Sequence, residues 1–120
     1  MVQFDQAVMD VAKKLDERKA LDIIIIDISR TSILADTFIV CSGTNPNMLR
    51  MLADEAEKTM KEHGIPLRRV EGYREGRGIV CDFGGLMVHI FHKEERKFYE
   101  IERLWRTEDN YLNYKGQTEE

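Results

Sequence analysis

Cysteine is scarce in this 120-residue chain: Cys41 and Cys81 are the only two, and both have apolar neighbours. Two thiols make no disulfide framework, so a small disulfide-stapled secreted domain is excluded and a reducing, cytoplasmic compartment is expected. Positive charge is not in excess either. Eighteen Lys and Arg stand against 22 Asp and Glu, for a formal net charge of −4. General nucleic-acid binders carry the opposite sign, which argues against DNA as a partner. Long apolar runs are missing; the Ile23–Ile26 run is bounded by Asp22 and Asp27 and falls far short of the ~20 residues that cross a bilayer. Asp5 and Asp10 interrupt the start, so no secretory leader is expected there.

Chemical motifs are missing as well. There is no Cys-x-x-Cys pair and no His-Glu-x-x-His run, so no metal is expected, and Cys41 and Cys81 read as core thiols. None of Ser29, Ser32 and Ser42 lies in a Gly-x-Ser-x-Gly elbow, and no nucleophile–base pair stands out. The Ser42–Asn45 segment lacks the full phosphate-loop pattern and reads as a helix start. Asp27, Asp36 and Asp82 fall at strand ends or turns, where two carboxylates meeting across strands could hold magnesium. The missing Asp-x-Asp pair weighs against that enzyme reading, and neither a catalytic residue nor a cofactor is expected.

What is present describes one α/β domain. Hydrophobic residues make up 42% of the chain and charged residues 33%, a soluble balance. Phe4, Ala7, Val8, Val11 and Leu15 recur at helical spacing and predict a helix over 4–18. The isoleucines of 23–28 are β-branched on both faces, which predicts a strand covered on both sides. A second strand follows at 37–41, paired antiparallel with the first because the link is too short for a crossover helix. Asn45 as N-cap and Pro46 at the first helical position open a helix over 45–63, which Gly64 and Pro66 close. Strands are expected at 67–70, 79–83 and 86–91, the last two joined through Gly84-Gly85. A final helix spans 93–106. The whole is a five-stranded mixed sheet with flanking helices in one domain over 1–106. Residues 107–120 form a loosely docked tail, with Tyr111, Leu112 and Tyr114 as isolated anchors, frayed by Gly116.

Binding is the remaining function class. Four arginines and two glutamates give segment 68–77 a local charge of +2 (4 − 2), and Arg74 and Arg77 are expected to steer association. Asp82, Phe83, His89, Phe91, Arg103 and Trp105 are expected to form one continuous partner-binding patch.

Several segments in order carry a family resemblance. These are Ala35 to Thr44 with its Asp36-Thr37-Phe38 and Ser42-Gly43, the Val70-Glu71-Gly72 turn, Cys81 to Phe91 with Val88-His89-Ile90-Phe91, and Phe98 to Trp105. Together they resemble the ribosomal silencing factor family, RsfS or Iojap-like. The resemblance implies a nucleotidyltransferase-like topology without that activity, and no enzyme function. It also implies binding to the large ribosomal subunit through its universal protein number fourteen, a block on small-subunit joining, and repression of translation. Contact with nearby ribosomal RNA and a homodimer are compatible with it; DNA and membrane are not expected partners. Gly78 stands where the family usually has tryptophan, Gly85 where it has an acidic residue, and Thr37 and Phe83 where it has tyrosine. The alternatives are a magnesium-dependent nucleotidyltransferase-like enzyme and a homo-oligomeric domain without a ribosomal role.

Overall fold

The computed structural model describes residues 3–99 and 101–114. Chain order is α1 (Gln6–Glu17), β1 (Leu21–Asp27), β2 (Thr37–Gly43), α2 (Pro46–Glu62), β3 (Arg69–Glu71), β4 (Gly78–Asp82), β5 (Leu86–His92), α3 (Lys93–Tyr99), α4 (Ile101–Trp105) and β6 (Tyr111–Asn113). The strands form one mixed sheet in the order β3-β4-β5-β2-β1-β6. β2 and β5 run parallel, and the other neighbours are antiparallel.

Helix ends follow local chemistry. The Asn45 side chain accepts from the Met48 N–H at 2.9 Å with Pro46 at the first helical position, as the sequence predicts. At the other end Gly64 takes φ 79° and the Ile65 N–H donates to the Met60 carbonyl, a left-handed stop that satisfies late carbonyls. α1 ends the same way without glycine: Lys19 takes φ 74° and the Ala20 N–H reaches the Leu15 carbonyl. Helix is described over Lys93–Tyr99 and Ile101–Trp105, both inside the expected 93–106, and residue 100 lies outside the described residues. Phe98, Tyr99 and Ile101, read as its stripe and outward neighbour, lie outside the side chains described.

Alternation divides the sheet into two faces. Ile25, Ile39, Cys41, Cys81, Val88 and Ile90 pack with Val11, Leu15, Leu49 and Leu52 of α1 and α2 in the larger core. Ile24, Ile26, Phe38 and Val40 form a smaller core on the opposite face, against Trp105 and Tyr111. β1 is therefore covered on both sides, as its isoleucines predict, yet it is not the middle strand; β5 and β2 are.

The sheet has six strands, not five. Tyr111, Leu112 and Asn113 pair with Ile26, Ile25 and Ile24, and the Asp27 N–H donates to the Asn110 carbonyl at 2.7 Å. Those residues are too few and too polar to announce a strand by pattern; what recruits them is the otherwise open edge of β1. The ordered sheet thus runs past 106 to 113. The expected fraying by Gly116 falls outside the described residues. No helix among the described residues is long and apolar enough to cross a membrane.

Candidate docking face

α1 and α2 cover one face of the sheet; α3 and α4 cover the other only in part, α4 lying on β1. The uncovered remainder belongs to β4 and β5. Register sets Gly78 beside Phe91, Val80 beside His89 and Asp82 beside Met87. Val80, Asp82, Met87 and Phe91 are half-buried, while His89 is only 6% exposed. Rings cross this face in a line. Trp105 meets Phe38 edge-on at 5.4 Å, Phe38 meets His89 at 4.5 Å, and His89 stacks on Phe91 at 6.3 Å. Such pairs add ~0.5–1.5 kcal/mol beyond burial. Beside Phe91 is a notch of about 410 Å³ lined by Arg77, Gly78, Phe91 and Glu95.

The expected six-residue patch is therefore partly assembled. Asp82, His89, Phe91 and Trp105 share this face. Phe83 does not: it is 4% exposed in the larger core on the opposite side. The β4–β5 turn rotates it inward, with its N–H donating to the Leu86 carbonyl. Arg103 is exposed on α4. The Asp82 carboxylate accepts from the Gly84 N–H at 2.8 Å and so shapes the turn. Burial without a charge partner pushes the His89 imidazole down to about 4, so it is neutral at pH 7. Sequence reasoning placed Phe38 only in a strand, although it bridges Trp105 to His89. It also left Ile33 and Leu34 unassigned; Ile33 is fully exposed and Leu34 62% exposed. Two apolar residues inside a polar connection were the available signal.

The arginine-bearing turn between β3 and β4 is ordered by α2. Arg50 Nε donates to the Tyr73 carbonyl and Nη2 to the Arg74 carbonyl, each at 3.0 Å. The Tyr73 hydroxyl donates to both oxygens of Asp54 at 3.0 and 3.1 Å. That carboxylate raises the Tyr73 phenol above its ordinary range. Gly72 has φ 79°, and a Cβ there would come within 2.0 Å of the Gly78 carbonyl oxygen. Arg77 pairs with Glu95 at 3.1 Å and Arg69 lies 3.4 Å from Glu71, so the +2 of this segment is partly offset locally. Arg74 has no ion pair among the described residues.

Two carboxylates of the enzyme alternative, Asp27 and Asp82, are engaged by groups two residues away in their own turns. Asp27 accepts from the Ser29 N–H and hydroxyl at 2.9 and 2.7 Å, bonds that hold its carboxyl below the usual range. Asp82 serves its own turn, and among the described residues no group of three or more His, Cys, Asp or Glu is placed to hold a metal ion. Ser42 is buried, and its hydroxyl accepts from Arg96 Nη1 at 3.1 Å. Arg96 Nε in turn lies 3.4 Å from Glu102, at the wall of a polar cleft of about 540 Å³. Burial pushes both thiols up to about 12, which makes them inert core groups.

A half-open mixed sheet with an aromatic line and a pinned cationic turn defines an α/β binding domain. The family model "Ribosomal silencing factor during starvation" matches residues 2–120, and the chain belongs to that family, which is non-catalytic. It is 36% identical over 91 residues to the ribosomal silencing factor RsfS of Halalkalibacterium halodurans, covering 76% of this chain and 78% of that one. It is 36% identical over 94 residues to the RsfS of Bacillus subtilis, with 78% and 80% coverage. A crystal structure of a Chromobacterium violaceum protein superposes with a TM-score of 0.81 at 26% identity, covering 91% of this chain and 92% of that one.

Proposed function

We propose that this protein is a cytoplasmic silencing factor that binds the large ribosomal subunit through its universal protein number fourteen and blocks joining of the small subunit. The family match along residues 2–120 carries this reading. The open β4–β5 face supports it: half-buried Val80, Met87 and Phe91 offer apolar contact, rimmed by Asp82, Arg77 and Glu95. His89 and Trp105 support that surface from beneath and beside it, Arg103 lies on the neighbouring helix, and Ile33 and Leu34 add a protruding apolar tip. Blocking needs only occupation of the intersubunit face, so no reacting group is required. Arg74, and less so Arg77, steers the approach toward nearby ribosomal RNA.

The nucleotidyltransferase-like topology belongs to the same proposal, and the mixed sheet backed by helices supports it. A homodimer would form along an open sheet edge, β3 or β6, and analytical ultracentrifugation of the free protein reads it out. The binding test is titration of purified universal protein number fourteen. The parent is expected to bind, and a folded Met87→Glu variant at least tenfold more weakly. Equal affinity for the two removes the β4–β5 face from the interface.

A further inference from the structure

The turn between β3 and β4 ought to be loose: three glycines, Gly72, Gly76 and Gly78, fall within seven residues. Glycine loses the most backbone freedom on ordering, and a partner gripping a loose loop has to supply that ordering itself. Here it is supplied in advance by one stripe of α2. A single guanidinium, that of Arg50, takes two successive main-chain carbonyls, those of Tyr73 and Arg74. Its remaining nitrogen, Nη1, donates to Asn47 Oδ1 at 2.9 Å, which fixes the plane of the fork. One helical turn further on, Asp54 holds the Tyr73 hydroxyl. Asn47, Arg50 and Asp54 are spaced i, i+3 and i+7, so they share one side of the helix. The turn closes on itself through the Gly76 N–H and the Gly72 carbonyl at 3.0 Å. Gly76 is pressed so near Pro46 that a Cβ would come within 2.6 Å of that ring.

We infer that Arg50 and Tyr73 are positioning residues: they pre-order the turn so that Arg74 is already aimed when the large subunit arrives. This rests on the ribosomal reading above. It separates two contributions that a list of cations merges. Charge acts at a distance and sets the association rate, whether or not the turn is ordered. Order acts after contact and sets the dissociation rate. A lysine cannot replace Arg50, because an ammonium keeps the charge but lacks the planar fork that spans both carbonyls and Asn47.

The test uses the full chain and purified large subunits, with Arg50→Lys, Tyr73→Phe and the control Arg74→Ala. Amide exchange by NMR reports order at Gly76. In both clamp variants its exchange should quicken at least tenfold, while core amides such as Val88 keep theirs. Dissociation from large subunits should quicken about three- to tenfold, with the association rate and its salt dependence as in the parent. Arg74→Ala should do the reverse, slowing association at low salt and leaving dissociation near the parent value. Unchanged Gly76 exchange, or faster exchange with unchanged dissociation, overturns the positioning role while the parent still binds. A parent that does not bind large subunits overturns the ribosomal reading and this inference with it.

Discussion

His89 shows how a single residue ties the docking face to stability. Its imidazole is buried between Phe38 and Phe91 and held at about 4, against 6.5 in an unfolded chain. Between those values the unfolded state binds the extra proton, so stability rises with pH across that window and is lost as pH falls through it. The full loss is about 3 kcal/mol. Urea midpoints should therefore drop between pH 6.5 and 4, and a His89→Gln variant should flatten that slope; an identical slope contradicts the burial account. Asp27 has the opposite geometry: its hydrogen bonds from Ser29 lower its pKa, so its contribution disappears only at more acidic pH. Trp105 is half-buried on Phe38. Trp105→Ala should cost about 2–4 kcal/mol in urea unfolding, so its binding is to be read only in protein confirmed to be folded. Residue chemistry was partly legible in the sequence. The Asn45 cap was, because its partner Met48 lies three residues away; the Asp82 bond to the Gly84 N–H was not singled out. Phe83 was not, because a three-residue turn decides which way its ring points.

Among the elements, the short ones were the least legible. α1, α2, β1, β2 and β5 have periodic apolar patterns, and the structure has them where those patterns put them. β6 has three residues, and its pairing with Ile24 to Ile26 depends on an edge some 85 positions earlier in the chain, beyond any local window. It is nonetheless structural: Asn110 Nδ2 donates to both the Asp27 and Trp105 carbonyls at 2.9 Å. A chain ending at 106 should melt at lower temperature and scatter light on heating, because β1 becomes an open, isoleucine-rich edge. An unaltered melt would return residues 107–114 to the status of a loose tail. The β3–β4 turn is the second case. Its glycines were visible but Arg50, more than twenty positions away, was not recognisable as its anchor. Gly72→Ala should destabilise by about 2 kcal/mol, since the added carbon meets the Gly78 carbonyl oxygen, and thermal melting checks it.

At the scale of the whole molecule, the division of labour is between two faces. The helix-covered face holds most of the core and the inert thiols. The half-covered face carries the ring line and the notch beside Phe91, while the pinned turn is held from α2 on the other side, all on a domain with a radius of gyration of 13.0 Å. A rigid face of this kind can block a surface without chemistry, which suits a family of silencing factors. The candidate face was legible as a set of residue types but not as a surface. Asp82, His89, Phe91 and Trp105 were chosen for their chemistry and do come together, yet only the sheet register puts Val80 and Met87 among them. The central claim is that the protein occupies the large subunit so that the small subunit cannot join. Sucrose-gradient sedimentation of purified large and small subunits, with and without folded protein in excess, tests this most directly. The account predicts protein co-migrating with the large subunit and a reduced peak of joined particles. An undiminished joined peak, with the protein left at the top of the gradient, would contradict it.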